Sequence, residues 1–364
     1  MIRGILHGMG TAGLGLLVVL PLSCSPPPET GMTYEHVLAS LRPGLGCGTE
    51  TTGEPEVHQP MAYGLIAWAA ANRGDQTLAR AAADWLMENA DPAAPGWGLG
   101  WAWDAYGDGS TNPAGTVYGI TTALAVGGLT STYQLTNDKR YLTAARNALD
   151  YYAQFQCPRT GHLLYSDQAA DAYPTANVTA MLMGQYARLG GLTDCKMYQE
   201  VAARAYEALK RDAAWDGDAL TWKYADGLPK ERENDLKHAS YIVYGLYTYE
   251  RQAASHDSLA EPAARYLHRF IADDVYEFAR EEGGSVDRAL KARSWGVGML
   301  LYTLSVLGDA ERFETVLSFL PRYEYEPLRF SFSRGDQRHC PRTVAHVLLG
   351  LSLYRDGKVN RRER

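Results

Sequence analysis

The sequence predicts an all-α protein built from six helical hairpins, and three observations carry that prediction. First, six segments start with polar residues and run on as helices of small and apolar side chains. They begin near His58, Asn112, Tyr173, Asn234, Ala289 and His339, a period of about 50–60 residues. Second, helices with one charged face lie between them, over 75–89, 138–155, 195–212, 258–272 and 309–319, with apolar residues at i, i+3, i+4 spacing. Third, each of these charged-face helices is followed by a short run with aromatics at alternate positions: 97–103, 162–165, 220–224, 275–278 and 329–332.

Taken in order, the chain opens with an export signal over residues 1–24. Arg3 supplies a positive start, Leu14 to Leu20 an apolar run too short to span a bilayer, and small residues follow. Pro21-Leu-Ser-Cys24 resembles a bacterial lipobox, which implies a lipid on Cys24 and a cell-envelope location; ordinary cleavage is the alternative. The Pro-rich residues 25–32 then read as a spacer, 33–356 as one domain and 357–364 as a basic, frayed tail. The helix over 33–41 supplies the sixth charged-face helix. Asp75, Asp138, Asp194 and Asp309 stand at or near the starts of these outer helices as candidate N-caps. The other six segments are apolar nearly all round, as buried helices are.

The stretch 96–118 concentrates the chemistry. It holds Trp97, Trp101, Trp103, two Tyr, Asp104, Asp108 and six Gly, and a helix is expected to begin near Pro113. Aromatic faces can stack on sugar rings and paired carboxylates can serve as acid and base. Alternatively the loop is buried, and its Asp residues cap helices or hold a structural cation near Asp104 and Asp108. The spacing is not that of an EF-hand loop, and no P-loop, GxGxxG or convincing zinc set is present. No cofactor or metal is therefore expected.

The chain has 364 residues and a net charge of −7, which suits one large domain and argues against a nucleic-acid binder. Cys47, Cys157, Cys195 and Cys340 match no metal spacing; as an exported chain it could pair some of them, or keep buried thiols.

Three stretches, TVYGITTALAVGGLTSTYQLTNDKRYLTAA, AYPTANVTAMLMGQYARL and ENDLKHASYIVYGL, resemble in order the C-terminal domain of D-glucuronyl C5-epimerases, over about residues 113–249. The resemblance implies that the hairpins close into a ring, an (α/α)6 toroid with short strands at its mouth; an open solenoid is the alternative. It also implies tyrosine chemistry at the starts of inner helices. The first such position falls at Val117, with Tyr118 beside it. The second falls at Lys237, and the adjacent family His matches His238. More widely the chain resembles carbohydrate-active toroids: polysaccharide lyases, unsaturated glucuronyl hydrolases and other glycosidases.

A closed ring would gather the N-termini of six inner helices at one mouth, which favours an anionic ligand. The expected activity is C5 proton abstraction on a uronate-containing polysaccharide, leading to epimerisation or elimination. Tyr118, Lys237 and His238 would carry the proton. Arg293, Arg338 and Arg342 would grip a carboxylate, and Trp97, Trp101 and Trp103 would stack on sugars. Asn112, Tyr173, Asn177, Asn234, Asp235, Tyr241, Trp295 and His339 complete the expected binding set. A glycoside hydrolase using Asp104 or Asp108 with Asp235 or Asp171, and a non-catalytic glycan- or protein-binding lipoprotein, are the competing expectations.

Overall fold

Inner helices end and outer helices begin through one recurring two-residue device. A residue in the left-handed region, Gly74, Asn137 or Gly308, stops the inner helix, and the following Asp75, Asp138 or Asp309 caps the next helix with its carboxylate. Asp194 departs from the expectation: it is itself the left-handed stop, and Cys195 precedes the outer helix without a side-chain cap.

The structure is a computed structural model. It describes residues 32–42, 44–50, 54–228, 233–254, 258–279, 290–355 and 358–359. The signal, Cys24, nearly all of the spacer, Asp287 and Ala289 lie outside the described residues. Among the described residues, no helix is long and apolar enough to cross a membrane.

Among the described residues, twelve α-helices alternate outer and inner: α1 Tyr34–Ser40, α2 Pro60–Arg73, α3 Gln76–Glu88, α4 Gly119–Thr136, α5 Lys139–Ala153, α6 Ala176–Thr193, α7 Lys196–Asp212, α8 Leu236–Ala253, α9 Ala260–His268, α10 Ser294–Leu307, α11 Ala310–Phe319 and α12 Pro341–Leu351. Each even-numbered helix packs against the next, and α12 packs back on α2, so the ring closes. The fold is an (α/α)6 toroid, not an open solenoid. α1 lies against α12 and stands as its outer partner. The inner helix expected near Pro113 begins only at Gly119. Residues 111–112 pair instead with Trp103–Asp104 as a two-stranded hairpin. The aromatic runs form short hairpins or single bridges, never longer strands.

Burial explains the composition of the inner helices. In α4 every residue from Gly119 to Thr132 is buried, because neighbouring helices cover all its faces. Small residues let the backbones approach: a methyl group at Gly245 would collide with the Ala180 carbonyl, and one at Gly298 with the His346 backbone. Outer helices bury one side only, as α5 does with Tyr141, Ala145, Ala148, Leu149 and Tyr152. Near the C-terminus, Lys358–Val359 of the expected tail pairs antiparallel with Tyr354–Arg355. Cys47, Cys157, Cys195 and Cys340 are free thiols.

Candidate active site

The inner-helix N-termini converge on a cavity of about 1100 Å³. That is slightly larger than the usual span of small-molecule sites. Its aromatic wall follows from the repeat. The last residue of each of the five aromatic runs, Trp103, Tyr165, Tyr224, Phe278 and Phe332, lines the cavity. Earlier residues of two runs turn outward and pin the run to its outer helix. Trp97 donates its indole N–H to the Leu86 carbonyl in the last turn of α3, at 3.0 Å. Trp222 does the same to Leu209 of α7, at 2.8 Å. Trp97 is thus a buried wedge and cannot stack on a ligand, contrary to expectation.

The loop's carboxylates are also reassigned. Asp104 accepts backbone N–H bonds from Gly107 (2.6 Å), Asp108 (3.3 Å) and Gly109 (2.9 Å). It organises the hairpin turn and does not line the cavity. Backbone donors, which repel a cation, occupy its oxygens. Among the described residues, no group of three His, Cys, Asp or Glu is arranged to hold a metal ion. Asp108 reaches the cavity rim, but hydrogen bonds from Ser110 hold its carboxyl below the usual range, so it is not a proton donor near neutral pH.

Four further expected residues are structural. Buried Asn112 donates to Asp171 Oδ2 at 2.6 Å; Asn234 donates to the Trp222 carbonyl at 2.5 Å. Tyr173 packs edge-on against Tyr106. His339 bridges the Ser40 carbonyl and the Phe330 N–H. None of the four lines the cavity.

The remaining expected residues, Trp101, Trp103, Asp108, Tyr118, Asn177, Asp235, Lys237, His238, Tyr241, Arg293, Trp295, Arg338 and Arg342, do share the cavity. The start of α8 is its chemical centre. Asp235 caps the helix by accepting the His238 N–H at 3.0 Å. His238 Nδ1 lies 2.9 Å from the same oxygen, close but off the line of a hydrogen bond. Burial lowers the imidazole to about 4, against the pull of Asp235 and with added repulsion from Lys237, so it is neutral at pH 7. Burial would raise the Asp235 carboxyl, but the Lys237 charge and the His238 hydrogen bonds outweigh it and keep it ionised.

Lys237 is 9% exposed, and its Nζ sits 3.6 Å from the centre of the Trp295 ring. Burial brings the ammonium down to about 8. Asp235 opposes the shift and Arg293 adds to it.

The arginines are paired, each with a carboxylate. Arg342 holds Glu50 through Nε at 2.8 Å and through Nη2, and its guanidinium lies 4.6 Å from the Trp295 ring centre. Arg293 Nε is 3.2 Å from Glu277, whose carboxyl burial and Asp235 push up, although Arg293 pulls it down. Arg338 is bound by Asp336. One wall carries a further pair. His346 Nδ1 stands 2.6 Å from the Arg342 carbonyl, which can only accept, so Nδ1 bears the hydrogen and Nε2 accepts from the Tyr241 hydroxyl at 2.5 Å. Burial lowers His346 to about 3. Burial likewise raises the Tyr118 phenol to about 12, which makes it a donor, not a base, near neutral pH.

No protein-family model matches the chain, and no curated protein matches its sequence. Solved structures do. An α-amylase from Clostridium perfringens superposes with a TM-score of 0.65 at 11% identity, over 90% of this chain and 100% of that one. An unsaturated glucuronyl hydrolase specific for heparin gives 0.59 at 13% identity, over 87% and 94%. The cellobiose 2-epimerase of Spirochaeta thermophila gives 0.57 at 16% identity, over 80% and 84%. What they share with this chain is the toroid.

Proposed function

We propose that the chain is an exported, envelope-anchored enzyme that removes the C5 proton of a uronate residue in a polysaccharide, the anchor being a lipid on Cys24. The observation that carries this reading is the start of α8. A buried lysine lowered to about 8 stands beside a neutral histidine set against an ionised aspartate, in an aromatic-walled cavity with Arg293 and Arg342 in its lining. The arginines would neutralise the uronate carboxylate and so acidify C5. The Arg293 Nη nitrogens make no hydrogen bond to a described residue, which leaves them for a ligand. Lys237 or His238 would take the proton, and the Tyr118 or Tyr241 phenol would return one or protonate the leaving oxygen. Trp101, Trp103, Tyr165, Tyr224 and Phe332 supply faces for sugar rings. The named activities of the structures sharing the fold, an amylase, a glucuronyl hydrolase and a sugar epimerase, are in keeping with a glycan substrate.

A second reading, glycoside hydrolysis, is favoured by one observation. Glu50, Glu54, Glu233 and Asp235 also line the cavity, so carboxylates other than Asp104 and Asp108 are available as an acid–base pair. One experiment separates the readings. The protein is incubated in heavy water with uronate and neutral polysaccharides while unsaturated-product absorbance, new reducing ends and deuterium at C5 are followed. Absorbance identifies elimination and deuterium without cleavage identifies epimerisation. Reducing ends alone identify hydrolysis and sink the proton-abstraction reading. Binding with no change in any readout leaves a non-catalytic glycan receptor.

A further inference from the structure

Lys237 differs from every other cation lining the cavity. Arg293, Arg338 and Arg342 each face a carboxylate partner, Glu277, Asp336 and Glu50. The Lys237 ammonium has no hydrogen bond to any described residue, although the side chain is only 9% exposed. Its neighbours are the Trp295 ring at 3.6 Å and, through charge alone, Asp235 and Glu277. An amine that is desolvated, unbonded and opens onto a cavity is a nucleophile, as amines that form Schiff bases are. The next residue, His238, is neutral at pH 7 and can accept a proton that such chemistry releases.

We propose that Lys237 captures carbonyl compounds, open-chain aldoses or small hydroxyaldehydes, as an imine on its Nζ. The nitrogen lone pair forms the N–C bond while the C=O π pair moves to oxygen. Oxygen gains a proton and nitrogen loses one, giving a carbinolamine. The hydroxyl then takes a second proton and leaves as water while nitrogen loses its last proton, giving C=N. No oxidant or reductant enters. The aromatic wall would hold the carbon chain of the aldehyde, and the cavity has room for a whole sugar.

This goes beyond the proton-abstraction reading and does not depend on it, because the readout is a covalent mass and not turnover. The native full chain is treated at pH 7 with glycolaldehyde, and separately with D-glucose, in the presence of cyanoborohydride, which reduces an imine to a stable secondary amine. Peptide mass spectrometry then compares Lys237 with exposed Lys196. A lysine lowered to about 8 has far more neutral amine at pH 7 than one at its ordinary value. Labelling of Lys237 is therefore expected to be at least about tenfold faster than that of Lys196 with one or both aldehydes. The ratio should fall to about one in denaturant. Lys196 matching or outpacing Lys237 with both aldehydes in the native protein overturns the proposal, and leaves the amine as a cation over Trp295 only. Because the wild-type chain is used, a misfolded variant cannot obscure the result.

Discussion

The loop of residues 96–118 and the start of α8 both crowd chemistry-bearing residues into a short stretch, but the fold uses them differently. In the loop, three of the most suggestive residues serve structure: Trp97 wedges under α3, Asp104 ties a turn and Asn112 braces Asp171. At α8, Asp235, Lys237 and His238 all reach the cavity; burial lowers Lys237 and His238, while charged and hydrogen-bonding neighbours hold Asp235 low against the pull of burial. The difference is one of backbone demand. A glycine-rich loop leaves many N–H groups unpaired, and its polar side chains are spent satisfying them. A helix satisfies its own backbone apart from the first turn, so one Asp can cap it and the next residues stay available.

The largest expected effect sharpens that contrast directly. Lys237→Ala should cut C5 deuterium exchange by about 10²–10⁴-fold, whereas Asp104→Asn should change it little; the heavy-water assay measures both. Equal losses would return the loop to the catalytic centre. If Lys237 is the base, the exchange rate should rise about tenfold per pH unit and level near pH 8. A profile already flat from pH 6 to 8 would hand the role to His238, which is neutral over that whole range.

Next in size is a test by stability. Trp97→Ala should cost about 3–5 kcal/mol, since it empties a buried site and strands the Leu86 carbonyl. Trp103→Ala, at 37% exposure, should cost less than about 0.5 kcal/mol in denaturant titration while weakening glycan binding. A third test uses pH. His238 and His346 have lowered folded values, so below about pH 6.5 the unfolded chain binds protons that the folded chain refuses. Stability should fall as pH drops from about 6.5 towards 4, by on the order of 3 kcal/mol for each buried ring. His346→Gln should remove roughly half of that slope in thermal melts across the same window. The smallest effect is expected at Asp108→Asn. The residue sits exposed at the rim, and about twofold in apparent KM is anticipated.

Much of this molecule was legible as periodicity. Apolar helices about 50–60 residues apart, alternating with charged-face helices, already describe hairpins. The aromatic runs carried a signal that reading them singly missed: their last residues align across the repeats and build the cavity wall, as Tyr165, Phe278 and Phe332 do. Glu50 and Glu277 were not legible, because each meets its arginine only after the ring brings distant segments together. The same holds for His346, whose partner Tyr241 lies on another inner helix.

By itself, then, the order of residues determined the alternation of helices, the hairpin repeat and which helices are buried, because those follow from local propensity and from which faces are apolar. Closure of α12 onto α2, the choice between wedge and wall for each tryptophan, and the acidity of Lys237 were decided only by tertiary packing. Each depends on which groups are removed from water together, and that is a property of neighbours in space and not in sequence.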